Sequence, residues 1–358
     1  MRTFIIILAG VLVSCQPAPE PYDWHLPKDF PAPVVPPDNP MSDAKVALGR
    51  ALFYDANLSF NRTQSCSHCH QQQYAFAEPL TQAIGSTGEQ HRRNASSLVN
   101  VAYNSNLTWA HSGLTRIEQQ IVLPMFGEQP IELDITGHES EILSRFDNAN
   151  YNRLAEAAFD DSPLTFDMVV KALASFVRSL ISLESDFDRY AYQQDDDALS
   201  ESARRGLNLF FSERLECHHC HGGFNFTQSS QHQFQQLDLR PFHNTGLYNI
   251  DDKGGYPLSD PGLIEITSQP RDMGKFRAPT LRNVAVSAPY MHDGSLATLR
   301  DVIEFYNAGG RGAGIDSPLK SPFIKTLNLT EQEKDDLEAF LLSLTDQQFL
   351  TNPQFSAP

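Results

Sequence analysis

Apolar positions along this chain recur at helical spacing in several separate stretches, divided by long polar ones. Ser42 precedes a segment through Phe53 in which Val46, Leu48, Leu52 and Phe53 lie broadly on one side, so a helix capped by Ser42 is expected there. Val169, Val170, Leu173, Phe176, Val177, Leu180 and Ile181 keep the same period and predict a longer helix from about Thr165 to Phe187. Gln193-Gln194-Asp195-Asp196-Asp197 is a polar break, after which Ser200 is placed to cap a helix whose stretch from Arg204 to Phe211 leads into the second cysteine pair. A last helix is expected from Thr330, where Thr330-Glu331-Gln332-Glu333 has the form of a capping box and Leu337, Phe340, Leu341 and Leu344 form the apolar face. Residues 222–280 are rich in Gly, Pro, Asp and Gln without a clear period and read as loops. No βαβ pattern interrupts this, so the fold class is mainly α.

Two of these helices end in the same dipeptide, Leu52-Phe53 and Leu209-Phe210, and each is followed shortly by Cys-x-x-Cys-His. The chain reads as a distant two-fold repeat whose units are each too small to bury a large cofactor well and are expected to pack face to face. The expected organisation is a leader over 1–15, a Pro-rich tether over 16–40, one unit over 41–195 and a second over 196–358, with long loops wrapped round a cofactor. The leader is MRTFIIILAGVLVSC, with Arg2 ahead of an apolar run too short to span a bilayer. Its end, Leu12-Val13-Ser14-Cys15, resembles a bacterial lipoprotein cleavage box, so Cys15 is expected to carry lipid. That implies attachment on the periplasmic side of the cell envelope, and Gln16 resembles outer-membrane sorting. With 27 basic and 44 acidic residues the formal charge is -17, which argues against nucleic-acid binding.

The remaining cysteines form Cys66-Ser67-His68-Cys69-His70 and Cys217-His218-His219-Cys220-His221, the attachment signature of c-type haem. Thiols one turn apart can both reach the haem vinyl groups, and the next residue places an imidazole beneath the iron. His70 and His221 are therefore the expected proximal ligands, with His68, His218 and His219 as bystanders. A zinc site built from both cysteine pairs, or two redox disulfides, are the rival readings, and neither explains a histidine after each pair.

Four further segments carry a resemblance: Leu48-Gly49-Arg50-x-Leu52-Phe53-Tyr54-Asp55, Arg93-Asn94-Ala95-x-Ser97-Leu98, Lys275-Phe276-Arg277-Ala278-Pro279-Thr280-Leu281-Arg282-Asn283-Val284, and Ala288-Pro289-Tyr290-Met291-His292-Asp293-Gly294. In this order they resemble the bacterial dihaem cytochrome c peroxidase/MauG family, from about residue 40 to 345. Leu107-Thr108-Trp109-Ala110 and Pro124-Met125-Phe126-Gly127-Glu128 look closest to its methanobactin-associated MauG-like branch (MbnH). The resemblance implies two covalent c-type haems, a calcium ion, hydrogen peroxide as oxidant, and a periplasmic or surface protein as substrate or electron donor. It implies a peroxidatic haem on His70. Where ordinary family members have Ile-Gly-His with a distal histidine, this chain reads Ile84-Gly85-Ser86, which implies an open iron; His91 is the nearest rival ligand. Gln120, Pro124 and Glu132 match the distal pocket, with Glu132 as acid–base for O–O cleavage and Glu128 as its alternative. Trp109 matches a tryptophan between the haems, and Asn94 with the carbonyls of Ser287 and Pro289 matches the calcium site. Tyr306, fourteen residues after the histidine of Pro-Tyr-x-His, falls where peroxidases place a ligating methionine and MauG-like members a tyrosine; Met291 competes. A hard phenolate ligand would favour the oxidised iron, so the implied chemistry is storage of oxidising equivalents in a high-valent dihaem state and oxidation of a partner-protein residue, tryptophan in particular. The alternative is a peroxidase that reduces peroxide to water with electrons from a small redox protein.

Overall fold

The computed structural model describes residues 22–28, 30–235, 237 and 239–358, so the expected leader and Cys15 lie outside the described residues. The helices start where polar caps stand. Ser42 accepts a hydrogen bond from the Lys45 N–H at the head of Asp43–Tyr54, and Ser200 does the same from Ala203 at Glu201–Phe210. Thr330 and Glu333 close a reciprocal capping box on Glu331–Leu342. Among the described residues the protein is helical, with isolated bridges in place of sheets, and none of its helices is long and apolar enough to cross a membrane.

The helix expected over 165–187 needs correction. Thr165 caps it as expected, but it stops at Arg178, and a separate helix Asp186–Tyr192 begins after Ser185. The apolar period continues through Leu180 and Ile181, yet the backbone there has other partners. The Ser182 N–H donates to Asn100 Oδ1 at 2.7 Å, and the Leu180 carbonyl accepts from the Asn100 N–H at 2.9 Å. Ser185 and Asp188 then form their own capping box. Side-chain partners outcompete the helical ladder.

Asp43–Tyr54 packs against Phe166–Arg178, and Glu201–Phe210 packs in the same way against Glu331–Leu342. Each crossing is made possible by one glycine. A Cβ on Gly49 would lie 1.9 Å from the Ala172 carbonyl oxygen and 2.9 Å from Phe176 Cβ; a Cβ on Gly206 would lie 1.9 Å from the Asp336 carbonyl and 2.8 Å from Phe340 Cβ. The repeated motif is thus Gly-x-x-Leu-Phe, and its glycine is the contact point. One core gathers Leu48, Leu52, Phe53, Phe76, Leu173 and Phe176. A second gathers Phe210, Phe226, Phe340 and Leu344. A smaller cluster of Leu247, Tyr256 and Phe276, with Trp109 and Tyr306 against it, is the third.

The chain crosses between these cores on either side of the 193–197 loop. Phe187 belongs to the second core, 5.0 Å from the Phe226 ring. Its neighbour Asp188 forms a fully buried pair with Arg282, at 2.7 and 2.9 Å. In the other direction, Phe349 belongs to the first core. Gln72 Nε2 donates to the carbonyls of Phe349 and Asn352, and Arg50 Nε to that of Ser356.

The Pro-rich stretch expected as an extended tether lies against the protein from Phe30 onward. The Phe30 ring packs on Tyr192 and Phe224, the Tyr103 hydroxyl donates to the Pro31 carbonyl, and Asn39 is fully buried. Asn39 Nδ2 donates to Glu118 Oε1 at 2.8 Å, while Lys45 Nζ donates to Asn39 Oδ1 at 3.2 Å. An extended proline-rich segment can lie along a surface without unmet donors, and Phe30 and Asn39 anchor it.

Candidate haem cavities and the wall between them

Each Cys-x-x-Cys-His motif makes a short helix, Cys66–Cys69 or His218–His221, whose thiols and histidine face a large cavity. The first cavity holds Cys66, Cys69 and His70; the second holds Cys217, Cys220 and His221. His70 Nδ1 lies 2.8 Å from the Phe76 carbonyl oxygen. His221 Nδ1 lies 3.2 Å from that of Phe226 and 3.1 Å from that of Pro279. A carbonyl can only accept, so Nδ1 carries the proton and each Nε2 keeps a free lone pair, the arrangement that orients a metal-binding imidazole. Burial pushes His70 down and His221 down to about 4, so both rings are neutral.

Burial pushes the Cys66, Cys69 and Cys217 thiols up to about 12 and Cys220 up to about 11. The two pairs line different cavities and cannot form one four-cysteine zinc site. Two mainly apolar cavities, each with two thiols a turn apart and one preset imidazole, fit covalent haem.

The remaining expected residues of the first site fall as follows. Glu132, Gln120, Pro124, His91 and Trp109 line the cavity of His70. Glu128 is not in that lining; it pairs with Ile131 in a backbone bridge. Burial, and after it the Glu78 carboxyl, pushes Glu132 up to about 7. Gln120 Oε1 is buried without a hydrogen-bond partner, an acceptor on offer to the cavity. Ile84 and Gly85 line the cavity, while the Ser86 N–H donates to the Glu132 carbonyl at 2.9 Å.

In the second cavity Tyr306, on helix Leu299–Ala308, and Met291 both join His221. Burial raises the Tyr306 phenol above its ordinary range, and the thiols of Cys220 and Cys217 add to this. Trp109 lines both cavities, its Nε1 held by the Asn94 carbonyl at 2.9 Å. Asn94 is buried; its Nδ2 donates to Leu80 and its N–H to the His292 carbonyl, which brings it to the 287–292 segment. Asn94 Oδ1 and the carbonyls of Ser287 and Pro289 accept no hydrogen bond among the described residues, which fits oxygen ligands for a hard cation.

Two residues were not assigned roles from the sequence. Arg277 lines both cavities, is 5% exposed, and donates from Nε to the Thr108 carbonyl and from its N–H to the Trp109 carbonyl. Burial lowers it to about 10. Glu78 is 2% exposed with Oε1 unpartnered, and burial pushes it up to about 7. A glutamate closing the apolar run Ala75-Phe76-Ala77 just after a haem motif was the available signal.

A helical protein with paired cavities of this make-up is of the c-type dihaem class. The pattern described as di-haem cytochrome c peroxidase matches residues 43–197. The cytochrome-c peroxidase IdrP1 of Pseudomonas sp. (strain SCT) is 32% identical over 95% of this chain and 91% of its own. The methylamine utilization protein MauG of Methylophilus methylotrophus is 30% identical over 96% of this chain and 95% of its own. A crystal structure of a MauG-like protein associated with microbial copper homeostasis superposes with a TM-score of 0.91 at 47% identity, covering 94% of this chain and 99% of that one. The chain belongs to the dihaem cytochrome c peroxidase/MauG family and is an oxidoreductase of that family.

Proposed function

We propose that this is a MauG-like enzyme which uses hydrogen peroxide to gain two oxidising equivalents and spends them on a residue, tryptophan in particular, of a partner protein. The observation that carries the reading is Tyr306 beside His221 in a cavity joined through Trp109 to the one holding His70 and Glu132. Haems held by the two cysteine pairs would supply the iron centres at which peroxide is reduced and the equivalents are kept. His70 would hold the iron of the first haem, and His221 with Tyr306 that of the second. Glu132 takes the proton from the near peroxide oxygen and hands it to the far one, which leaves as water. Gln120 offers its unpartnered Oε1 to hold the peroxide, and Pro124, on the same helix, lines the pocket beside it. Trp109 relays charge between the sites, fixed by Asn94. Asn94, Ser287 and Pro289 hold calcium. The similarity to the copper-associated MauG-like protein supports the methanobactin-associated branch and a partner in copper handling. Lipid attachment through Cys15 on the periplasmic face, in the outer membrane, completes the proposal.

The second reading, a peroxidase fed by a small redox protein, is favoured by Met291 in the second cavity and by the peroxidase relatives. Stoichiometric peroxide added to the purified diferric protein without a donor separates them. Rapid loss of both ferric EPR signals into a long-lived species supports the MauG-like reading, and Tyr306→Met abolishes that longevity. No reaction until one haem is pre-reduced overturns the reading in favour of the peroxidase.

A further inference from the structure

One titratable group in the first cavity has no part in the chemistry above. His91 lines the cavity, and its Nε2 lies 3.6 Å from Glu132 Oε1. We propose that His91 is the positioning partner of Glu132, the imidazole and carboxyl together holding one exchangeable proton, so that the distal acid–base is a pair. This rests on the reading of Glu132 as the peroxide acid–base.

The backbone holds the two groups in register. The loop over 84–91 closes on itself through the Gly85 N–H to the Glu89 carbonyl and the His91 N–H to the Ala83 carbonyl, each at 2.8 Å. It is then stitched to the 131–132 segment twice: the Ile131 N–H donates to Glu89 Oε2 at 2.9 Å, and the Ser86 N–H to the Glu132 carbonyl at 2.9 Å. The approach is so close that a Cβ on Gly85 would stand 1.9 Å from the Ile131 carbonyl oxygen.

The other groups near Glu132 cannot serve. Glu78 faces it with a second carboxyl, and the Cys66 and Cys69 sulfurs, once joined to haem, carry no proton. Arg93 lines the cavity but is committed to Asp260, at 2.7 and 2.6 Å. Arg277 is held through its Nε by the Thr108 carbonyl, and His70 through Nδ1 by that of Phe76. A buried carboxyl facing another carboxyl holds its proton tightly and is a poor base. Burial favours the neutral imidazole, so His91 Nε2 is a base 3.6 Å from Glu132 Oε1 that can take the carboxyl proton and return it when the leaving oxygen needs one. Only a proton moves in this step; no electron transfer is added.

Cyanide tests this in the holoprotein, because HCN gives its proton to the distal base as the anion binds ferric iron. The association rate would be followed from about pH 5 to 9 for the parent, His91→Phe, His91→Gln, Glu132→Gln and the double variant Glu132→Gln/His91→Phe. Without the imidazole, Glu132 stays protonated to higher pH. The acid limb therefore moves up by about one unit, and association at the acid end falls roughly tenfold. His91→Gln keeps size and polarity but shows the same displacement. In the double variant the two effects are not additive. Profiles of both His91 variants that overlay the parent, while Glu132→Gln removes the limb, overturn the pairing alone. A Glu132→Gln profile like the parent overturns the acid–base reading beneath it. A ferric spin state that changes from low to high spin on loss of His91 makes this residue an iron ligand and also overturns the proposal.

Discussion

Glu128 and Glu132 stand four residues apart, and one of them faces the first cavity. Glu132→Gln is expected to slow the reaction with peroxide by about 10²–10⁴-fold, the usual contribution of a positioned acid–base, whereas Glu128→Gln changes it by less than about twofold. Stopped-flow absorbance of the ferric bands reads both. The sequence left these two carboxylates open because spacing alone cannot say which side of a tight bridge faces inward. Glu78 makes a different prediction. Burial raises its carboxyl from 4.5 to about 7, so the folded protein binds a proton that the unfolded chain releases. Stability from this group is fully present below about pH 4.5 and is lost as pH rises through about 7. Glu78→Gln is expected to flatten that fall in Tm across this window, measured by thermal unfolding of the holoprotein; an unchanged slope would remove Glu78 from the account.

The helices themselves were legible in the chain wherever a cap and an apolar period coincided. Ser42, Ser200 and Thr330 each cap a helix within a residue or two of the expected place. Phe166–Arg178 shows where that logic stops, because the period runs on through Leu180 and Ile181 while a distant side chain, Asn100, captures the backbone. Such long-range partners are invisible to local spacing. The matched glycines were legible as residues but not as contacts. Gly49→Ala or Gly206→Ala is expected to cost about 3 kcal/mol by driving a methyl into a backbone carbonyl, read by denaturant unfolding. Each crossing lies in its own core, so the double variant should lose the sum of the two.

At the scale of the whole molecule, the haem motifs, the two-fold repeat and the mainly helical class were readable from the sequence, because covalent attachment leaves a strict local signature. The exchange of segments between cores was not, since Phe187 and Phe349 look like ordinary apolar residues of the half in which they occur. Phe349→Ala is expected to cost about 3–5 kcal/mol. Its spectroscopic effect should appear at the His70 site, which lies in the opposite half of the sequence; resonance Raman or EPR of the two ferric centres would show which one is disturbed. A change confined to the His221 site would contradict the packing of Phe349 on Phe76.

That exchange also sets an order of events during synthesis. Phe349 emerges long after the Cys66–His70 motif, so the core behind the first motif stays unfinished until that segment has followed. Haem joined to Cys66 and Cys69 would meet a core that is still open, which the 349–356 segment then closes like a latch. Closure of the first core thereby waits for Phe349, only a few residues after the Leu344 that the second core needs, so neither half is finished well ahead of the other.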